Sequence, residues 1–312
     1  MPGTVRWRAP DGPAAATVRI MVFKRLLGSG SGGKTADGIP LEADTLLPDE
    51  PVRPGEILRG EVVLRALDRD VRIRTVNARL VANAAPDAVT KSTTTDVNTD
   101  TGVTLAHFQV TSLFTIPKGE ERRVPLRYRL KWETPVSEVR GLPLAGMRIG
   151  LYTEVDADGI ADRTDVDAVR IETTPLHETL FDAFAAAGYT CHSAWVDPEY
   201  IPRTEREILY SRQGFHLAAT DADHPRNMEL YLHSNAVGAE IYLRRAALAE
   251  KDWWGKPPAL RYVAAHHEIG HVDFEAKARQ WIDNVAALPA TAVDDRERVD
   301  YHLDSPRWWR DT

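Results

Sequence analysis

The strongest constraint on this chain is an alternation of apolar and polar residues with a period of two. In RVPLRYRLKW (123–132), Val124, Leu126, Tyr128, Leu130 and Trp132 share one parity, and Pro125, Arg127, Arg129 and Lys131 share the other. Successive side chains of a strand point to opposite faces, so this pattern predicts a strand with one face buried and one face wet. HFQVTSLFTI (107–116) repeats it with Phe108, Val110, Phe114 and Ile116, and MRIGLYTEV (147–155) with Met147, Ile149, Leu151 and Val155. EVVLRA (61–66) is strand-like as well. In DVRIRTVNARLVANA (70–84), Val71 and Ile73 lie on one parity and Val76, Ala78 and Leu80 on the other. A phase slip near Thr75 is what a β-bulge produces. Turn signals at RPGE (53–56), PKGEE (117–121) and ADG (157–159) separate these runs, and the whole reads as a β-sandwich. The acidic stretch DADGIADRTDVD (156–167) reads as a solvated loop, sharing only D-x-D-G with a calcium loop and lacking its ladder of ligands.

From about residue 174 the pattern changes. PLHETLFDAFAAAG (175–188) places Pro175 at a helix start, Leu176, Leu180, Phe181 and Phe184 on one face, and Gly188 at the stop. Strand candidates follow in HSAWV, EILYSR, FHLAAT, MELYLH, AEIYLRR and LRYVAAHH, and a last helix is predicted over 273–287 with Asp273 as its N-cap. The expected division is an extension, short amphipathic segment and Gly/Ser linker over 1–38, a sandwich over 39–173, a second β-rich domain framed by two helices over 174–288, and a polar tail over 289–312.

The formal net charge of −7 gives no basic footprint for nucleic acid. A single cysteine, Cys191, excludes an internal disulfide. No apolar run approaches the ~18 residues of a membrane span, and residues 1–20 lack the continuous apolar core of a signal peptide. These features predict a cytoplasmic protein, with Met21 as an alternative start.

Two motifs invite an enzymatic reading. GSGSGGKT (28–35) fits the phosphate-binding pattern G-x-x-x-x-G-K-[ST], which would use Gly33, Lys34 and Thr35 to hold a nucleotide. That site needs a helix leaving the glycine loop, and Gly38 and Pro40 arrive too early for one. The stretch reads as a linker. HEIGH (267–271) fits H-E-x-x-H, with His267 and His271 as zinc ligands and Glu268 as general base. On a helix the two imidazoles converge on one metal; on a strand four residues span ~13 Å and they do not. Pro257, Pro258 and the run LRYVA favour a strand over 260–268, Gly270 is a poor helix residue, and the position six beyond His271 is Lys277 rather than a third ligand. The expectation is therefore no catalytic residue, no metal and no cofactor, with His267 and His271 kept as the alternative. Trp253-Trp254 and Trp308-Trp309 read as packing or tail-docking pairs, and Cys191 cannot pair with its neighbour His192 across a strand.

The segment 21–66 carries M-x-F-K-x-L-L as MVFKRLL, then a glycine-rich joint, then V-x-P-G-x-x-L-x-G-x-V as VRPGEILRGEV. With IPKGEERRVPLRYRLKWETPV (116–136) and the run 150–189, it resembles the bacterial sporulation-control proteins of the Spo0M type over about residues 21–288. Trp132-Glu133 departs from the Leu-Pro usual there, at a turn. The resemblance implies a mainly β fold, two arrestin-like β-sandwich domains with a few short helices, and a non-enzymatic role in sporulation or development through an unidentified cytoplasmic protein partner. It places the glycine tract at an ordinary joint and HEIGH at the last strand before the closing helix. Val22, Phe23, Leu26 and Leu27 share an apolar side if their segment is helical, and are the candidate docking residues.

A linker at 28–35 makes one testable prediction. ATP and GTP leave the melting temperature unchanged, and Lys34→Ala melts as the parent does with or without either; a nucleotide-dependent rise that needs Lys34 would contradict it.

Overall fold

The computed structural model describes residues 40–82, 102–197, 212–220, 227–246 and 259–288. Its first part is a sandwich of antiparallel sheets. One sheet has the order β1–β2–β5, from Leu41–Leu46, Ile57–Ala66 and Glu121–Arg129. The other has the order β4–β3–β8–β9, from Val103–Ile116, Val71–Ala82, Ile149–Ala157 and Arg163–Ala168. Between β5 and β8 a short hairpin is formed by β6 (Glu138–Val139) and β7 (Leu142–Pro143).

The alternation in the sequence determines what fills the space between the sheets. Val62 and Leu64 of β2, Val124 and Leu126 of β5, and Val71, Ile73, Val76, Ala78 and Leu80 of β3 are all buried. The phase slip in β3 is a register shift between Ile73 and Thr75 in its pairing with β8, and it returns Val76, Ala78 and Leu80 to the core. Pro125 is tolerated because β5 pairs only with β2, and an edge strand can spare an N–H. The sides of the sandwich close by side-chain contact. Thr45 N–H donates to Asp165 Oδ2 at 2.7 Å, the buried Thr45 and Thr153 hydroxyls meet at 2.8 Å, and Phe108 stacks on Tyr128 with centroids 4.3 Å apart.

The stretch 156–167 is not a loop throughout. Residues from Arg163 onward form β9, which pairs with β8 from Val155↔Arg163 to Gly150↔Ala168. Asp165 and Asp167 alternate with Val166, so the acidic composition conceals a short edge strand; the turn itself is confined to the residues before Arg163.

The remainder is an antiparallel meander of five strands, β10 (Tyr189–Asp197), β11 (Arg212–Ala219), β12 (Met228–Ser234), β13 (Gly238–Arg245) and β14 (Leu260–Ala265). It is faced by α1 (Pro175–Ala186) and α2 (Phe274–Ala286). Asp273 caps α2 as expected, accepting from Ala276 N–H at 2.9 Å, and Gly188 follows α1 at φ 89°. One row of partners, Ala194, Phe215, Leu230 and Leu243, runs across the sheet on the buried side. Phe181 of α1 meets Phe215 edge-on at 5.1 Å, and Trp281 of α2 stacks on Tyr262 at 4.9 Å. On the opposite side Trp195 lies across Gly214, where a Cβ would come within 2.3 Å of the indole. Beyond EILYSR, of which only Arg212 is described, the predicted strands of this part are present. The architecture is thus mainly β, with an arrestin-like sandwich and few helices.

β13 and β14 approach each other most closely at Gly238. A Cβ there would lie 2.1 Å from Ala264 O and 2.7 Å from Ala265 Cα, both backbone atoms that cannot swing aside. Gly238→Ala therefore destabilises the chain by about 1–3 kcal/mol, the usual cost of forcing extra volume into a packed site, read as a lower urea midpoint with an unchanged m-value.

Candidate interaction surface

The stretch between β5 and β8 has no period. It is punctuated by Pro135, Gly141, Pro143 and Gly146, and it lies against the five-stranded sheet and α1 as a strap. The buried side chain of Gln213 on β11 holds it from both directions: Oε1 accepts from Val136 N–H at 2.8 Å, and Nε2 donates to Val136 O at 2.7 Å. Ala194 N–H of β10 donates to Ala145 O at 2.9 Å. Gly146, at φ 90°, sits so close that a Cβ would fall 2.3 Å from Ala194 O.

Charge reinforces the strap. Arg140 and Gly141 both have positive φ, 49° and 73°, as a two-residue type I′ hairpin turn requires. An arginine is unusual there. The conformation points its guanidinium at α1, where Nη1 meets Asp182 at 2.9 Å and Nε meets Glu178 at 3.3 Å. These carboxylates, Asp182 foremost, hold the guanidinium's pKa above its usual value. Glu138 is buried and receives both Nε and Nη2 of Arg170, at 2.9 and 3.1 Å. Arg53 reaches Glu172 at 2.8 Å and Thr173 O at 3.2 Å.

A second set of contacts begins in the first turn of α1. Thr174 caps the helix, accepting from His177 N–H at 3.3 Å. The His177 ring is buried, with Nε2 2.6 Å from Ser234 Oγ, while its Nδ1 has no partner. Next in sequence, Asn235 O lies 3.0 Å from His266 Nε2, and the His266 ring is tilted against Trp132 at 5.4 Å. Trp132 in turn covers Gly55, where a Cβ would come within 2.8 Å of its ring. The tryptophan that departs from the Leu-Pro pattern therefore links the turn after β5 to the end of β14. Burial, and then the neighbouring His266, lower the pKa of His177 to about 4. A serine beside a histidine is the arrangement of an activated nucleophile. Here Ser234 is 1% exposed and His177 5% exposed, so both are sealed from solvent, and no carboxylate among the described residues orients the imidazole.

HEIGH is neither the long strand expected nor a protease helix. β14 stops at Ala265, three residues short of the expected end, and His266–Glu268 form one 3-10 turn. Glu268 causes the change, because its Oε2 accepts from Ala265 N–H at 2.8 Å and its Oε1 meets Lys277 Nζ at 3.2 Å. The backbone hydrogen bond first, and Lys277 next, keep this carboxyl below its usual pKa. His267 and His271 are exposed on either side of Gly270, which has φ 77°. No group of three or more His, Cys, Asp or Glu side chains is placed to hold a metal among the described residues. Burial of the Cys191 thiol raises its pKa to about 12, which disfavours the thiolate. Gly33, Lys34 and Thr35, the docking candidates Val22, Phe23, Leu26 and Leu27, and both Trp-Trp pairs lie outside the described residues. No helix among the described residues is long and apolar enough to cross a membrane.

The family model described as SpoOM protein matches residues 23–245. The sporulation-control protein Spo0M of Bacillus subtilis (strain 168) is 25% identical over 191 residues, which are 61% of this chain and 66% of that protein. The alignment therefore spans just under two thirds of that relative's length. The crystal structure of Spo0M from Bacillus subtilis matches with a TM-score of 0.62 at 22% identity, covering 79% of this chain and 99% of that one. That likeness is one of fold.

The buried imidazole makes a pH prediction. The unfolded chain protonates His177 below its ordinary value of 6.5, the folded chain only below about 4. Its contribution to stability is complete above 6.5 and is lost as the pH falls toward 4. At ~1.36 kcal/mol per pH unit the loss is at most about 3 kcal/mol. Urea midpoints between pH 6.5 and 4 fall more steeply in the parent than in His177→Leu/Ser234→Ala, which removes both hydrogen-bonding partners together.

Proposed function

The chain belongs to the Spo0M family, and from that premise we propose that it controls sporulation or development by contact with a cytoplasmic protein partner and not by turnover. The observation that carries this reading is the use made of its reactive side chains. Glu268, the general base of the hydrolase alternative, has one oxygen on a backbone N–H and the other on Lys277. His177 and Ser234 are sealed together under the sheet. Groups so engaged brace the fold.

The working parts in this reading are exposed edges. A sheet edge offers backbone groups to a partner strand, and side chains beside it set specificity. Edge strand β14 carries Val263, 61% exposed, and Val237 in the turn before β13 is 70% exposed. The proposed division is a sandwich domain over 39–173 and a second domain over 174–288, with 1–38 and 289–312 outside them. Val22, Phe23, Leu26 and Leu27 form the proposed docking element.

The experiment is complementation in the native host. Deletion of the gene alters sporulation timing or yield, Glu268→Gln restores it fully, and a chain lacking residues 21–27 folds normally yet does not restore it. If Glu268→Gln expresses normally and behaves as the deletion does, the contact reading is wrong and hydrolase chemistry at 267–271 takes its place.

A further inference from the structure

The register of β2 against β5 sets two arginines face to face. Arg59 is the direct partner of Arg127, on the outer, solvent side of the three-stranded sheet. Directly opposed side chains in an antiparallel pair have Cβ atoms about 4.5–5.5 Å apart, and like charges there are destabilising. The neighbouring pair on the same face is Ile57↔Arg129, so a third guanidinium stands one row away. All three arginines are exposed, and the exposed Lys131 follows.

The carboxylates within reach are engaged elsewhere. Glu61, one row away on the other side, is bound to Arg123 at 3.3 Å, and Glu56 accepts from Arg53 N–H at 3.0 Å. Arg129 uses one nitrogen on Gly55 O at 2.8 Å. Neither Arg59 nor Arg127 makes a hydrogen bond or ion pair among the described residues. The rest of this face behaves differently: Arg65 stands between Glu121 and Glu42, and Arg123 bridges Glu61 and Glu121. At one end of this face the cations have carboxylates as their strand neighbours, and at the other end two cations face each other, a local concentration of positive charge in a chain of net charge −7.

We propose that this end of the sheet binds a phosphate-type oxyanion, held between the guanidinium forks of Arg59 and Arg127 with Arg129 adding charge from the next row. A guanidinium presents paired N–H donors that match a phosphate group bidentately, and the register places two of them on directly opposed residues of one face. The anion belongs either to a soluble phosphate compound or to a lipid headgroup. The inference is independent of the protein-contact reading and survives its failure.

Two probes test it on the full chain. Inorganic pyrophosphate is titrated by calorimetry, and vesicles of phosphatidylcholine with and without phosphatidic acid are sedimented with the protein. The expected result is binding of at least one probe that weakens with salt and falls tenfold or more in Arg59→Gln/Arg127→Gln. Arg65→Gln, whose strand neighbours are Glu42 and Glu121, binds as the parent does. Arg59→Lys/Arg127→Lys keeps the charge without the forks and retains only part of the affinity. Pyrophosphate binding alone assigns the site to a soluble ligand, and vesicle binding alone assigns it to a headgroup. Binding of neither probe, or binding unchanged in Arg59→Gln/Arg127→Gln with the parent's urea midpoint, overturns the proposal.

Discussion

The amide of Gln213 is the contact on which the arrangement of the described part most depends. A side-chain amide is one of the few groups that can accept from a backbone N–H and donate to the C=O of the same residue, and here it does both to Val136. The site is buried, so breaking the pair strands two backbone groups and two side-chain groups away from water. Leaving a buried polar group unsatisfied costs about 1–3 kcal/mol. The strap has no apolar period; besides the β6–β7 hairpin, its own backbone pairs at Ser137 and Glu138 with residues 171–173. Gln213, Ala194 and the ion pairs of Arg140 hold it from the sheet side and from α1. Arg140 accepts a left-handed backbone in return for reaching two carboxylates on α1.

The same economy recurs where the sequence carries chemistry-bearing residues. Glu268 turns the chain out of β14 by accepting from Ala265 N–H, then braces α2 through Lys277. His177 fills the space under Ser234 as a neutral ring. Each residue type is familiar from active sites, and in each case its hydrogen bonds are made to this chain's own backbone or to a neighbouring side chain. On the outer face of the sandwich, by contrast, Arg59 opposes Arg127 and neither makes an ion pair among the described residues.

Much of the fold was legible because strand burial leaves a mark of period two. Val124, Leu126 and Leu130 announce their face unaided, and the slip between Ile73 and Val76 announces a bulge. β9 was hidden because an edge strand of six residues with two aspartates carries more charge than period. The end of β14 was misplaced because Glu268 acts through a hydrogen bond three residues back, which apolar patterning does not report. Gln213 and Arg140 left no trace at all. A glutamine on a strand looks solvated until its partner, 77 residues away in sequence, is known. HEIGH was expected at the last strand before the closing helix; it begins two residues beyond the end of that strand, and the turn it forms left no sign in the sequence.

The bulge in β3 also governs where this chain can change length. With it, Val71 and Ile73 reach the core on one parity and Val76, Ala78 and Leu80 on the other. A chain one residue shorter at Arg74 would place all five on a single uninterrupted parity, and the strand would lose its kink yet keep its inside and outside. One residue removed between Val76 and Leu80 would turn part of the strand's core outward. Leu113 of β4, at φ 53°, stands opposite Arg74, because Ile73 pairs with Phe114 and Thr75 with Ser112, so the extra residue is matched across β3 and β4 and a change of length there must be made in both strands. The rest of β3 would be held to a fixed length.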